Sequence, residues 1–212
     1  LQMICTLAPE IDTCCRGELQ ATKLPNLRHV IVMDDVEGFS GLWSFEDITA
    51  LGGSAEKLQL IEIDKNLTPD DSINIQFTSG TTGPPKGATL SHYNIVNNAS
   101  LTTDRIKLTE ADRLAIPVPL YHCFGMVMGV LGAVSKGAAM VFPGEAFDAE
   151  QTLDTLAKEK CTALYGVPTM FVAMLQELDK RPRDLSTLRT GIMAGAPCPV
   201  EVMKKVNNQM NM

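Results

Sequence analysis

No C-x-x-C pair occurs among the six cysteines (Cys5, Cys14, Cys15, Cys123, Cys161 and Cys198), and no histidine stands beside them in metal-ligand register. Neither a zinc module nor a disulfide scaffold is indicated, and the thiols are expected to be free, as in a reducing compartment. Basic residues are in deficit. The 18 Lys and Arg against 25 Asp and Glu leave a net charge of -7, which argues against a nonspecific nucleic-acid surface. Long hydrophobic runs are also missing: residues 126–134 are too few to span a bilayer and include Gly129 and Gly132, while the uncharged stretch from Leu114 is broken by Pro117, Pro119 and His122. Leu1 is followed by neither a secretory leader nor an arginine-rich transit pattern. Starting in mid-pattern, the chain is expected to be a piece of a longer protein. It contains no internal repeat and no low-complexity tract.

With 212 residues, 45% of them hydrophobic, the chain can bury the core of one domain or at most two. Strand-like and helix-like segments alternate along it. Residues 28–33 read as a buried strand, and Ser44 caps a short helix with Asp47 at the reciprocal capping position. Further strands are expected at 73–77, 114–118, 138–142, 162–165 and 191–194. Helices are expected from Ser91 through Asn98, over 124–135, over 149–160, over 169–178, and from Pro199 as a first-turn residue. The second of these is apolar nearly all round, hence buried, and Gly137 ends it. Residues 10–24 and 181–184 are the best loop candidates. Regular alternation of this kind implies an α/β fold of stacked, mostly parallel sheets with helices on both faces.

The richest chemistry follows the strand at 73–77, in Thr78-Ser79-Gly80-Thr81-Thr82-Gly83-Pro84-Pro85-Lys86-Gly87. Gly80 and Gly83 let backbone N–H groups approach an anion without a Cβ in the way. Thr78, Ser79, Thr81 and Thr82 add hydroxyl donors, and Lys86 adds a point charge. The expected ligand is a phosphate. It is not the loop of the P-loop NTPases, because G-x-x-x-x-G-K-[ST] counted from Gly80 needs glycine where Pro85 stands and a hydroxyl where Gly87 stands. Three other segments stand out: Pro119-Leu120-Tyr121-His122-Cys123-Phe124-Gly125, Tyr165-Gly166-Val167-Pro168-Thr169-Met170, and Ala194-Gly195-Ala196-Pro197. Taken singly, His122 reads as a packed or solvent-bridging histidine, the second segment as core, and the third as a tight strand-to-helix turn. The third also leaves room for a flat ring beyond a strand end, where open α/β sheets bind ligands.

Together these motifs resemble the adenylate-forming superfamily of acyl-CoA synthetases, luciferase-like enzymes and peptide-synthetase adenylation domains. The resemblance covers most of the chain, loosely before Asp71, and implies part of the large N-terminal domain of such an enzyme, with no C-terminal domain present. It implies ATP-dependent activation of a carboxylic acid to an acyl-adenylate and then, with CoA, to a thioester. Thr78, Ser79, Gly80, Thr81, Thr82, Gly83 and Lys86 would hold the phosphates, with Gly195, Ala196 and Pro197 beside the adenine. His122 and Phe124 would lie at the reaction centre, where His122 and Lys86 are the catalytic candidates, and Gly166, Val167 and Thr169 would line the acyl tunnel. Amino-acid adenylation domains place an aspartate near the His122 turn; here no acidic residue occurs between Asp112 and Glu145, which favours a plain carboxylic acid, and the resemblance to the acyl-CoA synthetases of the superfamily implies a medium-chain fatty acid. By the same resemblance a mitochondrial compartment is expected, and the magnesium-holding glutamate, the ribose-binding aspartate and a C-terminal lysine lie past Met212. No metal ligand is therefore assigned within the chain, and residues 1–212 are expected to be inactive alone. Two alternatives stand beside this reading: a non-catalytic nucleotide-binding or interaction protein, and a luciferase-like or coumarate-type acid ligase.

Overall fold

A computed structural model describes residues 1–33, 38, 40–78, 80 and 83–212. The chain divides into two units, Leu1–Leu67 and Thr68–Met212. In the first, helix α1 (Gln2–Leu7) and a 3-10 turn (Pro9–Asp12) precede a parallel pair of short strands, β1 (Val30–Val32) and β2 (Leu42–Ser44), followed by α2 (Phe45–Leu51) and α3 (Ser54–Asp64). Its core is Ala8, Ile11, Leu19, Ala21 and Leu42. The capping box opening α2 forms as expected: Asp47 N donates to Ser44 Oγ (3.1 Å) and Ser44 N to the Asp47 carboxylate (3.3 Å). The expected loop at 10–24 is pinned by Glu10, whose Oε1 accepts from Thr22 N and Thr22 Oγ1. The strand at 28–33 is a correction. It is three residues long, and Ile31 is 48% exposed, because a two-stranded ribbon has no second layer on that face.

The second unit begins with an antiparallel hairpin, β3 (Ser72–Phe77) and β4 (Gly87–Ser91), pairing Phe77 with Gly87 and Ile75 with Thr89. The phosphate-type loop is thus a hairpin connection, with a strand after it that the sequence pattern did not show. Ser91 caps α4 (His92–Arg105) through Asn94 N (3.3 Å), and the helix runs a further two turns past Asn98. Then come β5 (Arg113–Ala115), a π-helical stretch (Phe124–Leu131) continuing into α5 (Gly132–Lys136), β6 (Ala139–Val141), α6 (Ala149–Lys158), β7 (Ala163–Gly166), α7 (Pro168–Lys180), β8 (Thr190–Met193) and α8 (Val200–Met210). Gly137, at φ +69°, ends α5 as expected. Pro199 is the residue that precedes α8 rather than one of its first turn.

Strands β5 to β8 form one parallel sheet in the order β6-β5-β7-β8. Successive side chains of a strand leave on opposite faces, and both faces are covered. Ala115 and Leu164 go to one side against Leu153 and Leu156 of α6 and Phe171 and Met174 of α7. Leu114, Ile116, Ala163 and Tyr165 go to the other, against Phe124 and Ala133 of the π-helix and α5. The N-terminal ends of the strands are tied by Asp112, which is 3% exposed. Its carboxylate accepts from Thr162 Oγ1 (2.6 Å), from Thr109 N (2.8 Å) and Oγ1 (3.1 Å), and from Arg189 Nε (3.0 Å) and Nη2 (2.5 Å).

Burial alone would push the Asp112 carboxyl up, but the bonds from Arg189, Thr162 and Thr109 outweigh it and hold the group down at about 2. A folded value below that of the unfolded chain stabilises the fold above the unfolded value, and that stabilisation is lost as pH falls through the folded one. Asp112 should therefore contribute about 2–3 kcal/mol at neutral pH, lost between roughly pH 4 and pH 2. Asp112→Asn is expected to cost about 3 kcal/mol in urea unfolding at pH 7 and to flatten the acid limb of stability. An unchanged midpoint would show that the cluster is not holding the sheet.

Candidate functional site

In the order β6-β5-β7-β8, consecutive strands diverge on either side of the gap between β5 and β7. The crevice beyond the carboxyl ends of two such strands is where open α/β sheets bind ligands. The chain leaving β5 there carries Pro119 to Phe124, and the chain leaving β7 carries Gly166, Val167 and Thr169. The segment after β8 meets them. Gly195 has φ +88°, and a Cβ on it would stand 3.2 Å from Val167 Cγ1, while Ala194 N donates to Gly166 O (3.2 Å). Phe124, Tyr165, Val167, Met170 and Ala194 share one apolar cluster. Three segments distant in sequence are thereby brought to one place.

Phe124 is buried at 6% exposure, its ring stacked on Tyr165 at 5.5 Å between centroids. Burial pushes the Tyr165 phenol up to about 12, so it stays neutral. His122 is exposed at the mouth of the turn. Its Nδ1 accepts from Phe124 N (3.1 Å), with Cys123 Sγ 3.7 Å away, and its peptide N–H donates to Pro119 O (3.3 Å). Gly125 has no room for a side chain, since a Cβ would press on the backbone of Pro119 and Val118. Gly166 is buried against Phe171, whereas Thr169, Gly195, Ala196 and Pro197 are exposed.

Beside the turn opens a cavity of about 470 Å³, walled by Ile116, Val118, Leu120, Tyr121, Phe147 and Met170, with Glu145 the one charged side chain among its lining residues. Phe147 and Glu145 were not expected at the site. The sequence signal for them is their position just past the strand at Ala139–Val141, at the same carboxyl end of the sheet as the turn after β5. Cys198, close in sequence to the Gly-Ala-Pro segment, has its Sγ 3.2 Å from Met193 O and 3.5 Å from Ala196 O, a thiol committed to the backbone, as expected of a structural cysteine.

On the hairpin loop, Thr78 and Lys86 close the base. Thr78 N donates to Lys86 O (2.9 Å), and Lys86 N donates to Thr78 Oγ1 (3.0 Å). The hydroxyl accepts there, which leaves its own proton free to donate. Gly80 sits at φ +67°, where a Cβ would stand 2.7 Å from Gly83 O. Gly83 N donates to Gly80 O (3.1 Å), so that N–H is used within the loop rather than offered to a ligand. Lys86 is exposed and has no carboxylate within ion-pair distance among the described residues. Ser79, Thr81 and Thr82 lie outside the described residues. The hairpin and the His122 turn belong to one packed body, since Leu90 of β4, Ile95 and Ala99 of α4, and Cys123 and Val127 share a cluster.

Residues 12–212 match the model of the AMP-binding enzyme family, and the chain belongs to that family. It is 47% identical over 207 residues to the putative acyl-CoA synthetase YngI of Bacillus subtilis, covering 98% of this chain and 37% of that protein. It is 47% identical over 210 residues to the mitochondrial medium-chain acyl-CoA ligase ACSF2 of Danio rerio, covering 98% of this chain and 34% of that one. The chain thus spans little more than a third of these relatives. Among solved structures, the anthranilate CoA ligase AuaEII in complex with anthranoyl-AMP superposes with a TM-score of 0.72 at 27% identity, over 90% of this chain and 36% of that one. ATP-bound MatB from Rhodopseudomonas palustris does so with a TM-score of 0.61 at 29% identity, over 69% and 29%.

Two substitutions test the loop. Lys86→Ala removes a charge with no described protein partner, so thermal stability should be unchanged; if the loop holds phosphate, ATP use by the longest natural chain containing these residues should fall about 10- to 100-fold, as expected for one charge-assisted bond to phosphate. Gly80→Ala forces a Cβ onto the Gly83 carbonyl and should raise the KM for ATP with the rest of the fold intact. Wild-type ATP kinetics in both variants would remove the loop from the site.

Proposed function

We propose that residues 1–212 are part of the N-terminal domain of an AMP-forming acid:CoA ligase that activates a medium-chain fatty acid. The observation that carries this reading is the convergence of the His122 turn, Val167 and Gly195 at the point where strand order diverges, in one unit with a hydroxyl- and lysine-bearing loop. In the proposed reaction a carboxylate oxygen attacks the α-phosphorus of ATP, the bond to the β-phosphate breaks, and pyrophosphate leaves. The thiol of CoA then attacks the acyl carbonyl and AMP departs. Thr78 and Lys86, with Ser79, Thr81 and Thr82, would hold the β- and γ-phosphates. His122 would face the reacting centre, with Phe124 behind it in the stack on Tyr165. Gly195, Ala196 and Pro197 would flank the adenine, and Gly166, Val167 and Thr169 would border the acyl chain. No protein nucleophile is needed, and rate would come from positioning and from donors aimed at the developing charge.

Magnesium enters this proposal only as the counter-ion of ATP. Among the described residues no cluster of carboxylates, histidines or cysteines would hold a metal by itself, and no step is routed through one. The relatives named ACSF2 are mitochondrial by name, and that compartment is proposed here by likeness alone. No helix of the described residues is long and apolar enough to cross a membrane.

An amine-bearing acid is the second reading, because tertiary structure brings Glu145 to the cavity beside Tyr121. Glu145 is open to water, however, and a solvated carboxylate is a weak partner for an ammonium group. Acid-dependent ATP–pyrophosphate exchange in the longest natural chain containing these residues separates the two. Octanoate and decanoate should support exchange and free amino acids should not. Exchange driven by amino acids, abolished in Glu145→Gln and with fatty acids inert, would replace the first reading by the second.

A further inference from the structure

We infer that His122 is held as a single neutral tautomer, with its proton on Nε2, and that it meets substrate only as a hydrogen-bond donor; the second half of this statement rests on the proposed ligase reading. A backbone N–H can only donate, so the Phe124 N–H at 3.1 Å requires a lone pair on His122 Nδ1. The other neighbour of that nitrogen, Cys123 Sγ at 3.7 Å, can donate its S–H to the same lone pair once Nδ1 is bare. With Nδ1 occupied as an acceptor, the ring proton of the neutral imidazole resides on Nε2.

The device is local. The first N–H groups of a helix have no partner within it, and Phe124 opens the π-helical stretch. Gly125 N and Met126 N both donate to His122 O at 3.0 Å, leaving the Phe124 N–H to the imidazole. The missing side chain at Gly125 lets the turn close against the Pro119 carbonyl, which keeps Phe124 within reach of the ring. A base at this position would need a bare Nε2. This ring presents N–H instead, so it stabilises negative charge on a carboxylate or phosphate oxygen and takes no proton from the acid or from CoA.

The test needs no turnover. In protein labelled with 15N-histidine, a long-range 1H–15N spectrum above the histidine titration range resolves the three rings, His29, His92 and His122, with His122 assigned by its loss in His122→Gln. One tautomer, bare at Nδ1 and protonated at Nε2, is expected for His122. A tautomer mixture, or a proton on Nδ1, overturns the inference whatever the enzyme does. The donor role is read separately, by ATP–pyrophosphate exchange. The amide of Gln reaches the place of Nε2 and should retain activity within about tenfold of wild type, whereas Asn reaches only the place of Nδ1 and should lose about 100-fold, the usual cost of one preorganised donor. Equal losses in the two variants would remove the donor role and leave the tautomer standing. Absence of exchange in the wild type would instead count against the ligase reading.

Discussion

The arrangement of this protein's second unit depends on one buried carboxylate. Asp112 gathers donors from Thr109, Thr162 and Arg189 at the lower edge of the sheet, so the starts of β5, β7 and β8 are held by the same group. An unpaired charge at that depth would be strongly unfavourable, and the bonds from Arg189 and its neighbours make the paired state the one that folds. With one end anchored, the alternation of Leu114, Ala115 and Ile116, and of Ala163, Leu164 and Tyr165, commits each strand to a helix layer on either face. The chemistry-bearing segments then have one place to go. They leave the opposite ends of β5, β7 and β8 and meet there.

The two halves of the candidate site are built by different means. The loop at 78–86 is the turn of a hairpin, and its shape comes from ladder pairing at its base and from the close approach of Gly80 to the Gly83 carbonyl. The His122 turn is built by a helix start pressed against the Val118–Pro119 backbone that follows β5, with Gly125 providing the clearance. At the base of the hairpin loop stand the Thr78 hydroxyl and an exposed Lys86. A tightly bonded turn fixes one ring nitrogen in one role. That division suits a reaction in which a polyphosphate is gripped at one end and charge develops at the other.

Membership of the AMP-binding enzyme family is consistent with this geometry and with the motifs in the chain. The likeness to AuaEII at 27% identity and the likeness to acyl-CoA ligases at 47% bear on different questions. The first speaks to the architecture, and the second to the family to which these residues belong.

Local signals were legible where a short stretch of chain decides the outcome. The Ser44–Asp47 box, the Ser91 cap, the stop at Gly137 and the alternation that makes the sheet parallel could all be read from residues a few positions apart. The anionic ligand proposed for the loop rests on sequence chemistry alone, on its glycines, hydroxyls and lysine. Other features depend on residues far apart in sequence. That 28–33 is half-exposed, that a strand follows the loop at Gly87–Ser91, and that Asp112 is bonded to Arg189 across 77 positions follow from which surfaces meet. Glu145 lies well beyond Tyr121 in the chain and borders the same cavity only because β6 lies beside β5. His122 marks the boundary between the two kinds of information. Its residue type makes it a candidate from sequence alone, but the nitrogen that holds its proton is decided by the direction of one backbone N–H, and that direction is set by the packing of Gly125 against Pro119.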